Sequence, residues 1–215
     1  MNQKPELRSQ KSESNLWGSV RPSFALLLLM TLLLGIVYPL AVTVVGQSLF
    51  NHRAGGSLIE RGGKVMGSSL LGQSFESPKY FWGRLSATTP PYNPAASGGS
   101  NLSPNNPKLM DAVNARVEAL HDADPANRDP IPVELVTASA SGLDPHIGLA
   151  AVEYQLPRVA GARNKRTEDI QAIVEKYTET PGFGLFGEPY VNVLKLNMAL
   201  DEGSGIGIQD SGKRK

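Results

Sequence analysis

The chain has 215 residues, with 21 Lys and Arg against 20 Asp and Glu and a formal net charge of +1. A balance this close to neutral offers no basic stripe for phosphates, which argues against a nucleic-acid-binding protein. The sequence has no cysteine, so thiol catalysis, zinc–thiolate sites and disulfides are excluded.

The most apolar stretch runs from Phe24 to Gln47 and carries no charged residue. A helix of this length covers roughly 36 Å, and the hydrocarbon core of a bilayer is about 30 Å thick. A cleaved signal peptide has a shorter apolar region, of about 7–15 residues. We therefore expect a retained anchor, with this division of the chain: 1–21 cytoplasmic disordered leader, 22–47 transmembrane helix, 48–200 soluble head domain, 201–215 disordered tail.

The charges that flank the anchor give its predicted orientation. Basic residues are slightly more numerous before the anchor than just after it, which favours a cytoplasmic N-terminus and an extracytoplasmic head. The residues counted are Lys4, Arg8, Lys11 and Arg21 on one side and Arg53, Arg61 and Lys64 on the other.

Three features of the anchor bear on its partners, its lipid environment and its helical structure. Thr31 and Gly35 lie four residues apart, a spacing of small residues that lets another helix approach closely. Trp17 and Arg21 are expected at the membrane edge, where an aromatic ring and a cation with a long apolar stem are favoured. Pro39 is tolerable near the end of a membrane helix.

A long segment from Ser77 to Lys108 is more than half Gly, Pro, Ser and Asn. These residues form turns, and a loop this long is either functional or disordered. Four aromatic residues within it are costly to leave in water, so we expect an ordered, packed loop. They are Tyr80, Phe81, Trp82 and Tyr92.

Helices are predicted at three places in the head. Asn106 can cap the first, with Pro107 in its first position and Leu109, Val113, Val117 and Leu120 on its apolar face. A second is expected over Leu149–Arg163, kinked or ended by Pro157. Thr167 can cap the third, with Glu168 and Asp169 in its first turn.

Short strands are predicted within Lys64–Phe75, over Glu134–Ala140 and over Tyr190–Leu200. Asn51–Gly63 is expected to be a loop, and Gly182–Gly187 to be rich in turns. Strands and helices mix without regular βαβ alternation, so the fold class is α+β, with one mixed head domain after a single transmembrane helix.

The segment TASASGLDPHI holds the best candidates for catalysis: Ser139, Ser141, Asp144 and His146. The serines lack the flanking glycines of a G-x-S-x-G elbow, and Asp144-Pro145 is better explained as an Asx-type turn. The Asp144–His146 and His121-Asp122 pairs lack the ligand spacing of known metal sites. We therefore expect no catalytic and no metal site.

Two further patterns have simple structural explanations. Ser97–Pro107 could hold an anion on backbone amides before the following helix, but a turn and helix cap explain it better. Arg158, Arg163, Lys165 and Arg166 form a basic cluster that could bind lipid head groups or an acidic partner, with a solvated helix end as the default interpretation.

Four blocks taken together resemble a known family. They are LLGQSF…YFWGRLSAT (70–88), YNPAASGGSNLSPNNP (92–107), LVTASASGLDPHI (135–147) and GEPYVNVLKLN (187–197). In this order, behind a single N-terminal span, they resemble the C subunit of the Kdp potassium-transporting ATPase, a bacterial potassium uptake complex. Leu85, Ala140 and Gly148 depart from the residues that are common in the family.

The resemblance implies a non-catalytic accessory subunit in the bacterial inner membrane. Its partners would be a pore-forming potassium-translocating subunit, a P-type ATPase subunit and a small single-span peptide. The complex would handle ATP and potassium, so the chain would need no cofactor of its own.

The family is described as assembling the complex and as a catalytic chaperone that promotes ATP binding. The resemblance links Gln155, in YQLPRVA, to nucleotide contact. An extracytoplasmic head cannot reach cytoplasmic ATP, so topology and direct contact conflict, and we favour the topology. Candidate partner contacts are Thr31 and Gly35 in the anchor and Tyr80, Phe81, Trp82 and Tyr92 in the loop. The alternative is a membrane-anchored extracytoplasmic hydrolase that uses Asp144 and His146, or a binding module.

Overall fold

The structure is a computed structural model that describes residues 16–182 and 187–202. The chain divides after Ala54 into two units, which are described separately. Most of the predicted leader, the side chain of Trp17, most of the Gly182–Gly187 segment and the tail beyond Glu202 lie outside the described residues.

The first unit is an apolar helix. Its parts are α1 (Leu16–Leu32), a π-helical turn (Leu33–Val37), α2 (Tyr38–Leu49) and the short α3 (Asn51–Ala54). The stretch Val20–Leu49 is long and apolar enough to cross a membrane, and its most apolar part is not buried. Pro39 lies just after the π-helical turn and donates no backbone bond, which is a common cause of such irregularity. The hydroxyl of Thr43 donates to the Pro39 carbonyl at 2.8 Å.

The second unit begins with a hairpin of β1 (Leu58–Arg61) and β2 (Lys64–Ser68). The strand expected within Lys64–Phe75 is confirmed, whereas the loop expected over Asn51–Gly63 is wrong because α3 and β1 lie there. Gly62 and Gly63 both have positive φ and connect the paired Arg61 and Lys64, as a two-residue hairpin turn requires.

The first predicted helix of the head is confirmed as α4 (Pro107–Ala123). The side chain of Asn106 caps it by accepting from the Lys108 amide at 3.0 Å. Leu120 on the predicted apolar face is buried, and Leu109, Val113 and Val117 are half-buried.

The strand predicted over Glu134–Ala140 is wrong. Residues Val133–Val136 form the single turn of α5 instead, and Ala138 makes only an isolated parallel bridge with Leu85. The Thr137 hydroxyl donates to the Val133 carbonyl at 2.9 Å and so closes the helical turn. A local side-chain bond of this kind competes with extended structure.

The second predicted helix is α6 (Leu149–Ala162), which continues through Pro157. Pro157 and Glu153, whose carbonyl loses its partner, both face solvent, so water can satisfy that carbonyl. The third is α7 (Thr167–Tyr177); its N-cap is Arg166, so the prediction of Thr167 as the cap is wrong by one residue.

A three-stranded antiparallel sheet has the order β3 (His146–Gly148), β5 (Tyr190–Asn192), β4 (Thr178–Glu179). The strand predicted over Tyr190–Leu200 is right for its first three residues and wrong beyond them, where α8 (Val193–Glu202) begins. The Asn192 side chain accepts from the Lys195 amide at 3.1 Å, an N-cap bond that starts α8.

One core unites the head. α6 lies at its centre and packs on α7, which in turn packs on α8. We call the segment Ser77–Lys108, which holds the four aromatic residues, the aromatic loop. The largest fully buried apolar side chains come from this loop and from α4, α5, β3, α7, α8, α6 and β5: Phe81, Leu120, Leu135, Ile147, Ile170, Leu196, Leu200, Val152, Val159 and Val191. The α+β class and the single N-terminal apolar helix are therefore confirmed.

Gly72 and Gly161 offer a matched test of this packing. A Cβ at Gly72 would lie 2.3 Å from Cε1 of Tyr92 and 2.7 Å from the Asp144 carbonyl oxygen, whereas one at Gly161, inside α6, would meet nothing within 4 Å. We expect Gly72→Ala to lower the free energy of unfolding by about 1–3 kcal/mol. Gly161→Ala should raise it by about 0.5–1 kcal/mol, because alanine favours helix. Thermal and urea melts of the full chain in detergent measure both, and equal melts for the two variants would contradict the expectation.

Candidate functional site

Two buried amides hold the backbone of the aromatic loop. Oε1 of Gln155 accepts from the Trp82 amide at 2.8 Å, and Nε2 of Gln155 donates to the Trp82 carbonyl at 3.2 Å. Oδ1 of Asn197 accepts from the Phe81 amide at 2.8 Å, and Nδ2 of Asn197 donates to the Phe81 carbonyl at 2.9 Å. We call Gln155 and Asn197 the amide pair. Each satisfies both backbone groups of one buried residue, as a neighbouring strand would.

Two guanidinium groups lie against the indole ring of Trp82. Those of Arg158 and Arg116 are 4.6 Å and 4.8 Å from the ring centroid, a cation–π arrangement. Arg158 also donates to Oε1 of Gln155 at 2.7 Å and to the carbonyl of Pro78. Burial lowers the pKa of Arg158 to about 10, which leaves it charged at neutral pH. The loop is thus bound by charge as well as by hydrogen bonds.

The predicted basic cluster at the end of α6 is divided among separate partners. Arg163 donates to Asp201 at 2.8 Å, and its guanidinium lies 5.2 Å from the ring centroid of Tyr80. The Tyr80 hydroxyl donates to the same carboxylate at 2.9 Å. Arg166 pairs with Asp169. Arg158 and Arg163 therefore bind the head's own loop and helices, whereas Lys165 and Arg166 are exposed and fit the default interpretation of a solvated helix end.

Tyr92 anchors the next turn of the loop. It has a positive φ of 57°. Its hydroxyl donates to the Arg84 carbonyl at 2.6 Å, and its backbone amide donates to Oγ of Ser86 at 2.9 Å. Burial raises the pKa of Tyr92 and outweighs the opposing charge of Arg116.

The structure separates the predicted interface residues into two kinds. Phe81 and Trp82 are buried in the head, while Tyr80 and Tyr92 are half-buried. Thr31 and Gly35 are exposed on the isolated anchor helix. Contact between a partner and Tyr80, Tyr92, Thr31 or Gly35 needs no rearrangement of this chain, whereas contact with Phe81 or Trp82 does.

Gln155, linked by resemblance to nucleotide contact, has an exposed fraction of 0%. All its side-chain hydrogen bonds run to Trp82, Ala151 and Arg158. A contact between Gln155 and a nucleotide would require the loop to leave the core, and it stays a prediction.

Two of the candidates for catalysis, Asp144 and His146, lie close together. Oδ1 of Asp144 accepts from the His146 amide at 3.0 Å, which confirms the Asx-type turn, and lies 3.6 Å from Nδ1 of His146. The other imidazole nitrogen lies 3.5 Å from Nδ2 of Asn192. Oγ of Ser141 accepts from the Leu143 amide, and Ser139 is buried. Over residues 16–182 and 187–202, no group of three His, Asp or Glu could hold a metal ion.

Sequence reasoning missed Asn197 and Arg116 as residues that bind the loop. The signal was present in part, because Gln155 and Asn197 are polar residues within apolar helical stretches. A buried polar side chain of this kind needs a hydrogen-bond partner, but the sequence does not say which one.

In the described residues, one helix long and apolar enough to cross a membrane precedes an α+β head, which fits a membrane-anchored protein. A family model described as "K+-transporting ATPase, c chain" matches residues 20–202. Similar chains named "Potassium-transporting ATPase KdpC subunit" come from Ralstonia nicotianae (56% identical, covering 86% of this chain and 91% of that one) and Polaromonas naphthalenivorans (58% identical, 85% and 93%). The chain therefore belongs to the family of potassium-transporting ATPase c chains.

The amide pair provides a stability test. Gln155→Ala leaves the amide and carbonyl of Trp82 buried without partners, so we expect the free energy of unfolding to fall by about 2–4 kcal/mol. Gln171→Ala on α7 is the control, because that amide contacts only Glu175, at 3.4 Å; it should change the value by less than about 0.5 kcal/mol. Melts of the full chain in detergent measure both. If Gln155 served only a nucleotide, Gln155→Ala would melt like the parent chain.

We expect the stability of the head to depend on pH through the carboxylate of Asp144. Burial opposes its ionisation, but hydrogen bonds from the side chain and backbone of His146, together with the charge of Arg84, outweigh burial, so the pKa of Asp144 lies below its ordinary value. A lowered pKa means that the folded state favours the carboxylate, so this stabilisation is present above about pH 4 and is lost as the pH falls through the folded value.

Asp144→Asn should therefore lower the melting temperature at pH 7 and reduce its decline between about pH 4 and pH 3. If the melting temperatures of the parent and the variant fall in parallel over that pH range, the ionisation of Asp144 does not contribute to the pH dependence of stability.

Proposed function

We propose that this chain is a non-catalytic accessory subunit of a high-affinity, ATP-driven potassium uptake complex in the bacterial inner membrane. The observation that carries the proposal is the family match over residues 20–202, which includes the anchor and the head together. The partners would be a pore-forming potassium-translocating subunit, a P-type ATPase subunit that hydrolyses ATP, and a small single-span peptide.

The chain crosses the membrane once, with its head on the extracytoplasmic side. The slight excess of basic residues before the anchor supports this orientation. Arg21, the basic residue nearest to the start of the apolar stretch, would mark the cytoplasmic edge.

The first task of the subunit is to assemble and stabilise the complex through its anchor. A Cβ added at Gly35 would meet no atom within 4 Å, so this position leaves open space beside the helix backbone. Small residues at Thr31 and Gly35 allow the backbone of another membrane helix to approach, which supports contact with the pore subunit there.

The second task is that of a catalytic chaperone that promotes ATP binding by the ATPase subunit. An extracytoplasmic head acts on the nucleotide site indirectly, through the membrane subunits. The burial of Gln155 beneath the aromatic loop supports this indirect route over direct contact. Potassium and ATP are bound by the partners, and this chain contributes contacts instead of a cofactor.

Substitutions in the anchor test assembly. Gly35→Leu adds bulk where a helix would approach, so we expect several-fold less pore subunit and ATPase subunit to co-purify with the tagged chain in mild detergent. Ala25→Leu adds similar bulk six residues before Thr31, about 120° around the helix, and should leave recovery unchanged.

The same preparations test the chaperone role. Complexes that lack this chain, or that carry Gly35→Leu, should show a raised KM for ATP in potassium-stimulated hydrolysis. If complexes purified without the chain keep the parent recovery, potassium stimulation and KM, the accessory role is wrong. If Gly35→Leu and Ala25→Leu reduce the recovery of the partner subunits equally, the proposed contact at Gly35 is wrong, while the rest of the proposal stands.

A further inference from the structure

A cavity of about 200 Å³ lies beside the aromatic loop of the head. It is lined by residues 74–76, by residues 83–86 and 91–92 of the loop, and by Arg116 of α4. Phe75, Pro91 and Tyr92 make much of this lining apolar, whereas Arg84 and Arg116 bring two guanidinium groups to it. We call this cavity the arginine pocket. Apolar walls with a few convergent polar groups are characteristic of ligand-binding sites.

Arg116 brings to the pocket a positive charge that no salt bridge among the described residues neutralises. Its Nε donates to the Leu135 carbonyl and its Nη2 to the Gly83 carbonyl, both at 3.1 Å, so uncharged groups hold the side chain in place. Burial lowers the pKa of Arg116, and the phenol of Tyr92 is the group that opposes this shift. A partly desolvated cation without a counter-ion is unfavourable, so an anion that reaches it is bound strongly.

The third nitrogen of Arg116, Nη1, has no hydrogen-bond partner among the described residues. The same guanidinium also meets a like charge, because Arg116 and Arg158 lie 4.8 Å and 4.6 Å from the centroid of one ring, that of Trp82. The charge of Arg116 contributes to the lowered pKa of Arg158. A negative group bound at Nη1 would therefore satisfy a free donor and reduce the repulsion between the two arginines.

Arg84 supplies the second guanidinium of the pocket. Its Nη1 pairs with Asp144 at 3.2 Å, and its Nη2 lies 3.5 Å from the Ala138 carbonyl oxygen, which is long for a hydrogen bond. Its Nε is buried and has no hydrogen-bond partner in the described part of the chain. A buried donor without an acceptor is unfavourable. A small turn of the side chain would exchange the long bond to Ala138 for a bond from Nε to an acceptor in the pocket.

One carboxylate of the lining opposes the binding of an anion. Glu76 lines the pocket but is exposed, so water screens its charge. It is not among the groups that shift the pKa of Arg116. Because Asp144 offsets the charge of Arg84, the uncompensated charge of the pocket is that of Arg116, and this charge decides which ligand is bound.

We propose that the arginine pocket binds a carboxylate, with Nη1 of Arg116 as the principal donor and Nε of Arg84 as a second. The carbon stem of the ligand lies against the apolar lining at Phe75 and Tyr92. A carboxylate suits this pocket because it carries one negative charge, accepts from two donors and has an apolar stem. Two sources supply such a group, a small organic acid in solution and an acidic side chain of a partner subunit.

Fluorine NMR tests the proposal, because the ring of Trp82 lies beside Arg116 and senses its charge. The full chain carries 5-fluorotryptophan in place of Trp82 alone, introduced by genetic code expansion, and is purified in a nonionic detergent. Sodium propionate is the probe and replaces sodium chloride at constant ionic strength. We expect the fluorine resonance to shift and to saturate at millimolar propionate, and the melting temperature to rise over the same range.

Two pairs of variants separate the pocket from a general effect of charge. Arg116→Gln should weaken propionate binding at least tenfold, whereas Arg128→Gln removes the same charge at an exposed position elsewhere and should bind like the parent. Glu76→Arg should tighten binding several-fold, whereas Glu188→Arg, also exposed, should leave it unchanged. The second pair alters only exposed side chains, so it keeps the test valid if Arg116→Gln does not fold.

The proposal is wrong if neither the resonance nor the melting temperature of the parent responds to propionate. It is also wrong if the two members of either pair of variants bind propionate equally. These measurements use the chain alone, so they stand or fall independently of the accessory role in a complex.

The purified complex identifies the source of the carboxylate. If the ligand is a small organic acid, the complex binds propionate like the chain alone, and Arg116→Gln recovers its partners at the parent level. If an acidic side chain of a partner subunit fills the pocket, the complex does not bind propionate, and Arg116→Gln recovers several-fold less of the partners than Arg128→Gln does. Either result, after binding by the chain alone, supports the carboxylate site.

Discussion

The head depends on one constraint, which is that the backbone of Phe81 and Trp82 lies in the core and must be hydrogen-bonded there. Outside regular structure, a buried amide and carbonyl cost stability unless a side chain replaces the missing strand. Gln155 from α6 and Asn197 from α8 supply that replacement. Because each amide binds both backbone groups of one residue, the two helices cannot shift relative to the loop without breaking two bonds at once. The amide pair therefore fixes the spacing of α6, the loop and α8.

Sequence reasoning succeeded where the signal was local. The anchor followed from length and apolarity, and α4 from Asn106 and Pro107 at its start. It failed over 134–140 and 193–200, where short apolar runs fit a strand and a helix equally well. In both places one side chain decides the outcome, since Thr137 closes a helical turn and Asn192 caps α8.

The candidate site was predictable only in part, for a different reason. Composition showed that the aromatic loop had to be ordered, but not which side chains would bury it. The groups that bind Trp82 and Phe81 lie 73 and 116 residues away in sequence. No local pattern pairs residues over such distances, so Gln155 was linked to a nucleotide by resemblance while its contact with Trp82 went unseen. Phe81 and Trp82 were likewise expected at an interface, although both are buried.

The burial of Phe81 and Trp82 changes what a substitution in the aromatic loop can reveal about contacts with partner subunits. Trp82, buried between Arg116 and Arg158, stabilises the head and offers little exposed surface to a partner. Among the residues expected to contact partners, those that remain accessible are Tyr80 and Tyr92 in the loop and Thr31 and Gly35 in the anchor. A loss of assembly caused by a change at Trp82 is therefore evidence about the stability of the head, and only changes at exposed positions report on the contacts themselves.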